Sequence, residues 1–417
     1  MLKAIELLLT AEIYNRFLEL SEDDIPAEFR KVFYSKDGIS RPLVVKIDQV
    51  SAFLENNSER DLKKLPFIDY NSFTKQLRII SLDIATKWFL QKAGKDAIEK
   101  NPVLAYYYQN YNSLDVSYEK AKKANKPRHA DKEWLETIVN EMKNSEEFAD
   151  MLTLVKIYSP EDIKVNFEDV VLNEGQTEEI KKIEIAIEER EYLKRIGLTE
   201  IGKLLFIGPP GTGKTTTARA LSKKLQLPLL EVRLSMVTSQ YLGETSRNIE
   251  KIFEIAKKLN PCILFIDEFD YVAKTRTSDE HAAVKRAVNT LLKSIDEISL
   301  VEDGVLLIAA TNHPHLLDPA VWRRFDKVVE FPLPPESMRR RLFETFLSKI
   351  DGEYNIDELV KEADGFSGAE IKLVVREAVL RALMRGEKRI LHQDLIWAIN
   401  EVKNRPNLKL TYNTMIK

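Results

Sequence analysis

The sequence predicts a parallel α/β domain set between two mostly helical units, and three observations carry that prediction. Five near-continuous apolar runs, Leu204–Ile207, Leu229–Val232, Cys262–Ile266, Val305–Ala310 and Val328–Phe331, alternate with helix-length stretches. Strands apolar on both faces belong in a sheet covered on both sides by helices, so a five-stranded parallel sheet is expected. Before them, apolar residues recur at helical rather than strand spacing. After them, Pro332-Leu333-Pro334-Pro335 suits neither a helix interior nor a central strand, and the chain beyond is helical to about residue 403. At 417 residues the chain exceeds one ordinary core. The expected units are 1–158, 159–335 and 336–417.

In the first unit, Leu2, Ile5, Leu9, Ile13 and Phe17 form a helical stripe, with Glu6, Glu12, Arg16 and Glu19 off it. A second helical segment is expected from Phe73 to Phe89 through Leu77, Ile80, Ile84 and Trp88. A third runs through Trp134, Ile138 and Met142 toward Phe148 and Leu152. Tyr106-Tyr107-Tyr108 and Tyr111 offer rings that stack bases, grip a partner or simply pack. Lys120 to Arg128, broken by Pro127, reads as a solvated face or loop rather than a phosphate track. No chemical motif falls in this unit, and Pro160 marks its expected end.

The bulk numbers bound the function. With 44 % apolar and 31 % charged residues, the composition is that of a soluble globular protein. A net charge of -3 gives no global basic field and argues against nucleic acid as partner. The single cysteine, Cys262, cannot form an internal disulfide, which suits a reducing compartment. Glu6 interrupts what would be a signal peptide's apolar core, and no apolar stretch approaches the roughly 18 residues of a membrane span. A cytoplasmic protein is expected.

The first apolar run leads into Gly208-Pro209-Pro210-Gly211-Thr212-Gly213-Lys214-Thr215, which fits the P-loop spacing without a gap. Triphosphate is a dense negative charge that backbone N–H groups hold at close range. Gly208, Gly211 and Gly213 remove Cβ atoms where that approach is tightest. The helix beginning near Lys214 turns its unpaired N–H groups and positive dipole end toward the same phosphates. Lys214 reaches the β- and γ-phosphates, Thr215 offers a hydroxyl to Mg2+, and Thr216 follows on the same helical turn.

The third run, Cys262–Ile266, ends in Asp267-Glu268. A carboxylate at a strand end beside a P-loop holds Mg2+ through its water shell, the part expected of Asp267. Glu268 is placed to orient and deprotonate the attacking water. The fourth run ends in Ala310-Thr311-Asn312, whose amide either positions that water or serves as a turn former before His313-Pro314. Arg323-Arg324 offers guanidinium groups for the charge that develops on the γ-phosphate, although paired arginines are ordinarily just solvated.

Taken together, these motifs, with Leu317-Asp318-Pro319-Ala320 and Gly365-Phe366-Ser367-Gly368-Ala369-Glu370, resemble a single AAA ATPase module from about Phe167 to Asn400. The resemblance implies an α/β nucleotide domain, a helical lid, and a ring, usually of six copies, with ATP at subunit interfaces. Asn312 resembles the first sensor residue, and Arg323 and Arg324 resemble fingers acting on the neighbour's ATP. Arg286 matches a position near the subunit interface. Ser367, Gly368 and Ala369 resemble the nucleotide-contacting start of the lid helix. Tyr241-Leu242-Gly243 resembles the pore loop that grips extended polypeptide. Three features depart from the family pattern. Asp169-Val170-Val171-Leu172 replaces the common Asp-Ile-Gly-Gly, Glu297 stands where a glycine follows Asp296, and Arg323 and Arg324 touch instead of being separated. The expected function is ATP hydrolysis in a homo-oligomer, expected to be a hexamer, coupled to remodelling or unfolding of protein substrates or adaptors. A nucleic-acid motor or loader and an ATP-switched assembly scaffold are the alternatives.

Overall fold

The computed structural model describes residues 1–35, 38–54, 59–145, 148–234, 245–273 and 282–405. The chain divides into two compact units, Met1–Ser145 and Glu146–Lys417.

The first unit is built around the helix Leu2–Arg16, which is buried on nearly every side between Ala4 and Ala11. That removes the expected division into stripe and polar face. Glu6 is only 5 % exposed, accepts a hydrogen bond from Asn101 Nδ2 at 3.0 Å and pairs with Lys3 Nζ at 3.0 Å. Burial raises its pKa, an effect that Asn101 and Lys3 oppose. The unit also holds a small sheet, β1 (Val45–Lys46), β2 (Ile68–Asn71) and β3 (Gln76–Ile79), in the antiparallel order β1-β3-β2. This sheet overturns the helix expected from Phe73 onward. Asn71 Oδ1 accepts from the backbone of Phe73 and Thr74, fixing a turn, and the helix starts only at Leu82. Phe73 is 95 % exposed, so the stripe that contained it is not a buried face.

The tyrosines pack. Tyr108 is buried and donates to Thr86 O at 2.5 Å, Tyr107 stacks on the exposed Tyr111 ring at 5.5 Å, and Tyr106 donates to Glu19. The basic segment faces acids of its own unit: Arg128 pairs with Glu22 at 2.6 Å and Lys122 with Asp24 at 3.2 Å. Beside them, burial drives the His129 imidazole down to about 4, against the pull of Asp23 and with the push of Arg128 and Arg30. The unfolded chain, at the ordinary value of 6.5, therefore binds the proton first, and stability is lost as pH falls through the window between those two values. Acidifying from pH 7 to pH 5 should remove about 2 kcal/mol at this residue. Urea unfolding of the full chain at the two pH values, with and without His129→Gln, measures the loss, and the variant should flatten it.

The second unit contains a six-stranded sheet of β4 (Val155–Tyr158), β5 (Lys203–Ile207), β6 (Leu229–Arg233), β7 (Cys262–Asp267), β8 (Val305–Thr311) and β9 (Lys327–Glu330), in the order β4-β6-β7-β8-β5-β9. The last five are mutually parallel, as their apolar runs predict. β4 is the addition: it pairs antiparallel with β6, Val155 opposite Val232 and Tyr158 opposite Leu229. Residues 155–158 thus belong to the second unit, and the boundary expected after residue 158 falls earlier. Arg219, on the helix Lys214–Leu225, makes a two-pronged ion pair with Glu231 on β6, at 2.7 Å and 3.0 Å, and lies 5.5 Å from the Tyr158 ring centroid. Cys262 is buried in β7, with its thiol pKa pushed up by burial.

Beyond Pro335 the helices Glu336–Leu347, Ile356–Glu362, Gly368–Met384 and His392–Lys403 enclose their own core of Phe343, Leu359, Ile371, Val374, Leu395 and Ile399. This part is not wholly helical. A two-residue parallel pair, β10 (Gly352–Glu353) and β11 (Ile390–Leu391), joins two of its loops. Among the described residues no helix is long and apolar enough to cross a membrane.

Candidate active site

The strand order decides where the chemistry converges. β8 lies between β5 and β7, so the segments leaving the carboxyl ends of these three parallel strands are neighbours. They are the glycine loop after β5, Asp267-Glu268 at the end of β7 and Asn312 after β8.

The loop's glycines have positional reasons. Gly208 has φ 145°, and a Cβ there would meet the Phe331 carbonyl oxygen at 2.1 Å. Gly211, at φ 78°, would place a Cβ 2.8 Å from Ser367 Oγ and 3.0 Å from Ala369 Cβ. The lid helix therefore begins directly against the loop, and Ala369 N donates to Gly211 O at 3.0 Å. Ser367 caps that helix, with Ser367 N donating to Glu370 Oε2 at 2.6 Å. Ser367 and Ala369 thus lie against Gly211 of the loop.

Lys214 is 6 % exposed, and its Nζ donates to Gly208 O at 2.7 Å and Pro209 O at 2.8 Å. Burial lowers its pKa to about 8, opposed by Asp267 and Asp270. Thr212 Oγ1 closes the loop onto Pro209 O at 2.8 Å. Thr215 Oγ1 donates to Asp267 Oδ2 at 3.1 Å, joining the first turn of the loop's helix to the end of β7. Glu268 holds a left-handed φ of 54°, a conformation that costs a residue with a Cβ about 1–3 kcal/mol. Two contacts hold it there: Glu268 N donates to Asp267 Oδ1 at 2.9 Å, and Tyr271 N donates to Glu268 O at 2.9 Å.

The two arginines, indistinguishable by sequence, part company in space. Arg324 donates from Nε to Asp296 Oδ2 at 3.0 Å and from Nη1 to Ala320 O at 2.7 Å. Arg323, at the end of the helical turn Pro319–Trp322, is exposed, and its guanidinium makes no hydrogen bond or ion pair among the described residues. Arg286 is exposed on the helix Ala282–Asp296. Tyr241, Leu242 and Gly243 lie outside the described residues.

A triphosphate fits this cradle of positive-φ glycines, buried lysine and helix N-terminus. The adjoining hydroxyl and carboxylate of Thr215 and Asp267 suit a hard cation that keeps most of its waters. Among the described residues, no group of three or more His, Cys, Asp or Glu side chains is placed to hold a metal ion. Sequence reasoning missed Asp270 and Thr311. Thr311 is 1 % exposed and its Oγ1 donates to Asp270 Oδ1 at 2.9 Å, a pairing across two strand ends that no local spacing reveals.

The sheet order and the loop beside its strand-end carboxylates define a P-loop nucleotide-binding domain. Residues 204–333 match the ATPase family associated with various cellular activities (AAA), and residues 353–397 match the AAA+ lid domain. A proteasome-activating nucleotidase of Sulfurisphaera tokodaii is 38 % identical over 252 residues, covering 58 % of this chain and 64 % of that protein. An uncharacterized AAA family ATPase of Sinorhizobium fredii is 36 % identical over 58 % of this chain and 72 % of its own length. A putative 26S proteasome regulatory subunit homolog of Methanocaldococcus jannaschii is 33 % identical over 60 % of this chain and 69 % of its length. The chain belongs to the AAA family of ATPases. Its match spans less than two thirds of the Sulfurisphaera nucleotidase.

Proposed function

We propose that this protein assembles into a ring, hydrolyses ATP at sites shared by adjacent copies, and uses the cycle to remodel or unfold protein substrates. The observation that carries the shared site is Arg323, a guanidinium presented outward while its neighbour Arg324 is tied to Asp296 and Ala320. In this reading Lys214, Thr215, Thr216 and the loop backbone hold the phosphates, and Asp267 and Thr215 hold Mg2+. The cation, when bound, neutralises charge on the β- and γ-oxygens. Glu268 takes the proton from the attacking water, Asn312 orients that water, and the lid start at Ser367 to Ala369 contacts the nucleotide. Arg323 reaches the γ-phosphate held by the next copy. Support for protein substrates comes from relatives named as proteasome-activating nucleotidases and a 26S proteasome regulatory subunit homolog.

Turnover by the full chain should rise several-fold with casein, a loosely folded protein. Tyr241→Ala should lose that rise, because the proposed pore grip is a ring against extended chain. Turnover stimulated instead by single-stranded DNA, in a salt-sensitive way, would favour the nucleic-acid motor. Slow turnover indifferent to both, with Tyr241 dispensable, would favour the scaffold.

A further inference from the structure

Two contacts tie the segment carrying Glu268 to the segment carrying Asn312. Phe269 N donates to Ala310 O at 2.9 Å, and Thr311 Oγ1 donates to Asp270 Oδ1 at 2.9 Å. The same Thr311 hydroxyl accepts from His313 N at 3.0 Å, so it closes a tight turn with Asn312 at its middle. Thr311 is 1 % exposed and Asp270 is 7 % exposed, so neither group exchanges its partner for solvent at low cost.

We propose that Thr311 and Asp270 are positioning residues for the hydrolytic step, fixing the Asn312 amide relative to the Glu268 carboxylate through a buried hydroxyl–carboxylate contact. The inference rests on the roles proposed above for Glu268 and Asn312. A β-strand end is ordinarily free to fray where its ladder stops. Here the last residue of β8 is anchored by its side chain to the turn that follows β7, and the residue after it is held from both sides. Glu268 needs the same anchor. Its left-handed backbone is held by local bonds from Asp267 and Tyr271, and the residues that follow it, Phe269 and Asp270, are tied to Ala310 and Thr311 of β8. A water attacking in line has to be met by both groups at once, and small misplacement of either is costly.

Thr311→Val keeps the volume and removes the hydroxyl, cutting both the Asp270 and the His313 contacts. It should lower kcat about 10- to 100-fold in the assembled protein while ATP affinity, read with a fluorescent nucleotide, stays within about threefold. Thr311→Ser restores the hydroxyl and should return kcat to within about threefold of wild type. Thermal unfolding of each variant separates lost positioning from lost folding. The proposal is overturned if Thr311→Val turns over at the wild-type rate. It is equally overturned if kcat, nucleotide affinity and thermal midpoint fall together and serine restores none of them. Glu268→Gln and Asn312→Ala measured alongside keep the two levels apart. If both of those variants turn over normally, the site reading fails. If they are slow while Thr311→Val is not, only the positioning role fails.

Discussion

Replacing Arg323 by alanine should lower kcat by about 10³–10⁵-fold, the range over which arginine fingers act on phosphoryl transfer. The size follows from where the charge appears. As the γ-phosphoryl group leaves, negative charge spreads over its oxygens, and a planar cation at that point stabilises the transition state far more than bound ATP. ATP affinity should accordingly change little, which separates the finger from a binding residue. Arg324→Ala should behave differently. Its guanidinium bridges Asp296 and Ala320 O within its own subunit, and Asp296 is half exposed, so its loss should cost about 0–1 kcal/mol of stability. Turnover should fall by much less than for Arg323. Initial rates at saturating ATP, with sedimentation on the same samples to verify assembly, measure both.

Glu268→Gln should cut kcat by about 10²–10⁴-fold, the contribution typical of a general base. The amide is nearly the same size and keeps the backbone contacts of Asp267 and Tyr271, so the left-handed geometry at this position is retained. What it loses is the carboxylate proposed to accept the water's proton. The phosphate cradle is unaltered, so the variant should bind ATP normally and hold it unhydrolysed. Single-turnover quench measurements resolve this from slow product release: the amount bound should match wild type while the hydrolytic phase slows.

Much of this was legible in the sequence because the signals are local. Each of the five parallel strands carries its own apolar run, and its observed ends fall within a residue of the run that announced it. The glycine loop is equally local, since φ and the absence of Cβ are properties of single residues. Features that depend on a distant partner were not legible. β4 reads Val155-Lys156-Ile157-Tyr158, an alternation too short to separate from the end of a helical unit until β6 pairs with it. The stripe from Phe73 to Phe89 matched a helical period by coincidence before Leu82, because a turn at Asn71 and the β2–β3 hairpin prevail over spacing there, and it is helical only from Leu82 onward. Glu6 sits on a helix surrounded by its own unit, where every face is an inside face. Arg323 and Arg324 are adjacent in sequence, and the contacts of Arg324 with Asp296 and Ala320 O tell them apart.

The proposed sharing of each catalytic centre between adjacent copies is tested most directly by complementation. If the proposal holds, Lys214→Ala loses the phosphate grip and Arg323→Ala loses the group that completes a neighbour's site, so each alone should be nearly inactive. Co-expressed and purified as a mixed assembly, they juxtapose an intact cradle from one copy with an intact guanidinium from the next. ATP turnover should then recover to a sizeable fraction of wild type. A verified mixed assembly that stays as slow as either variant alone would contradict the account.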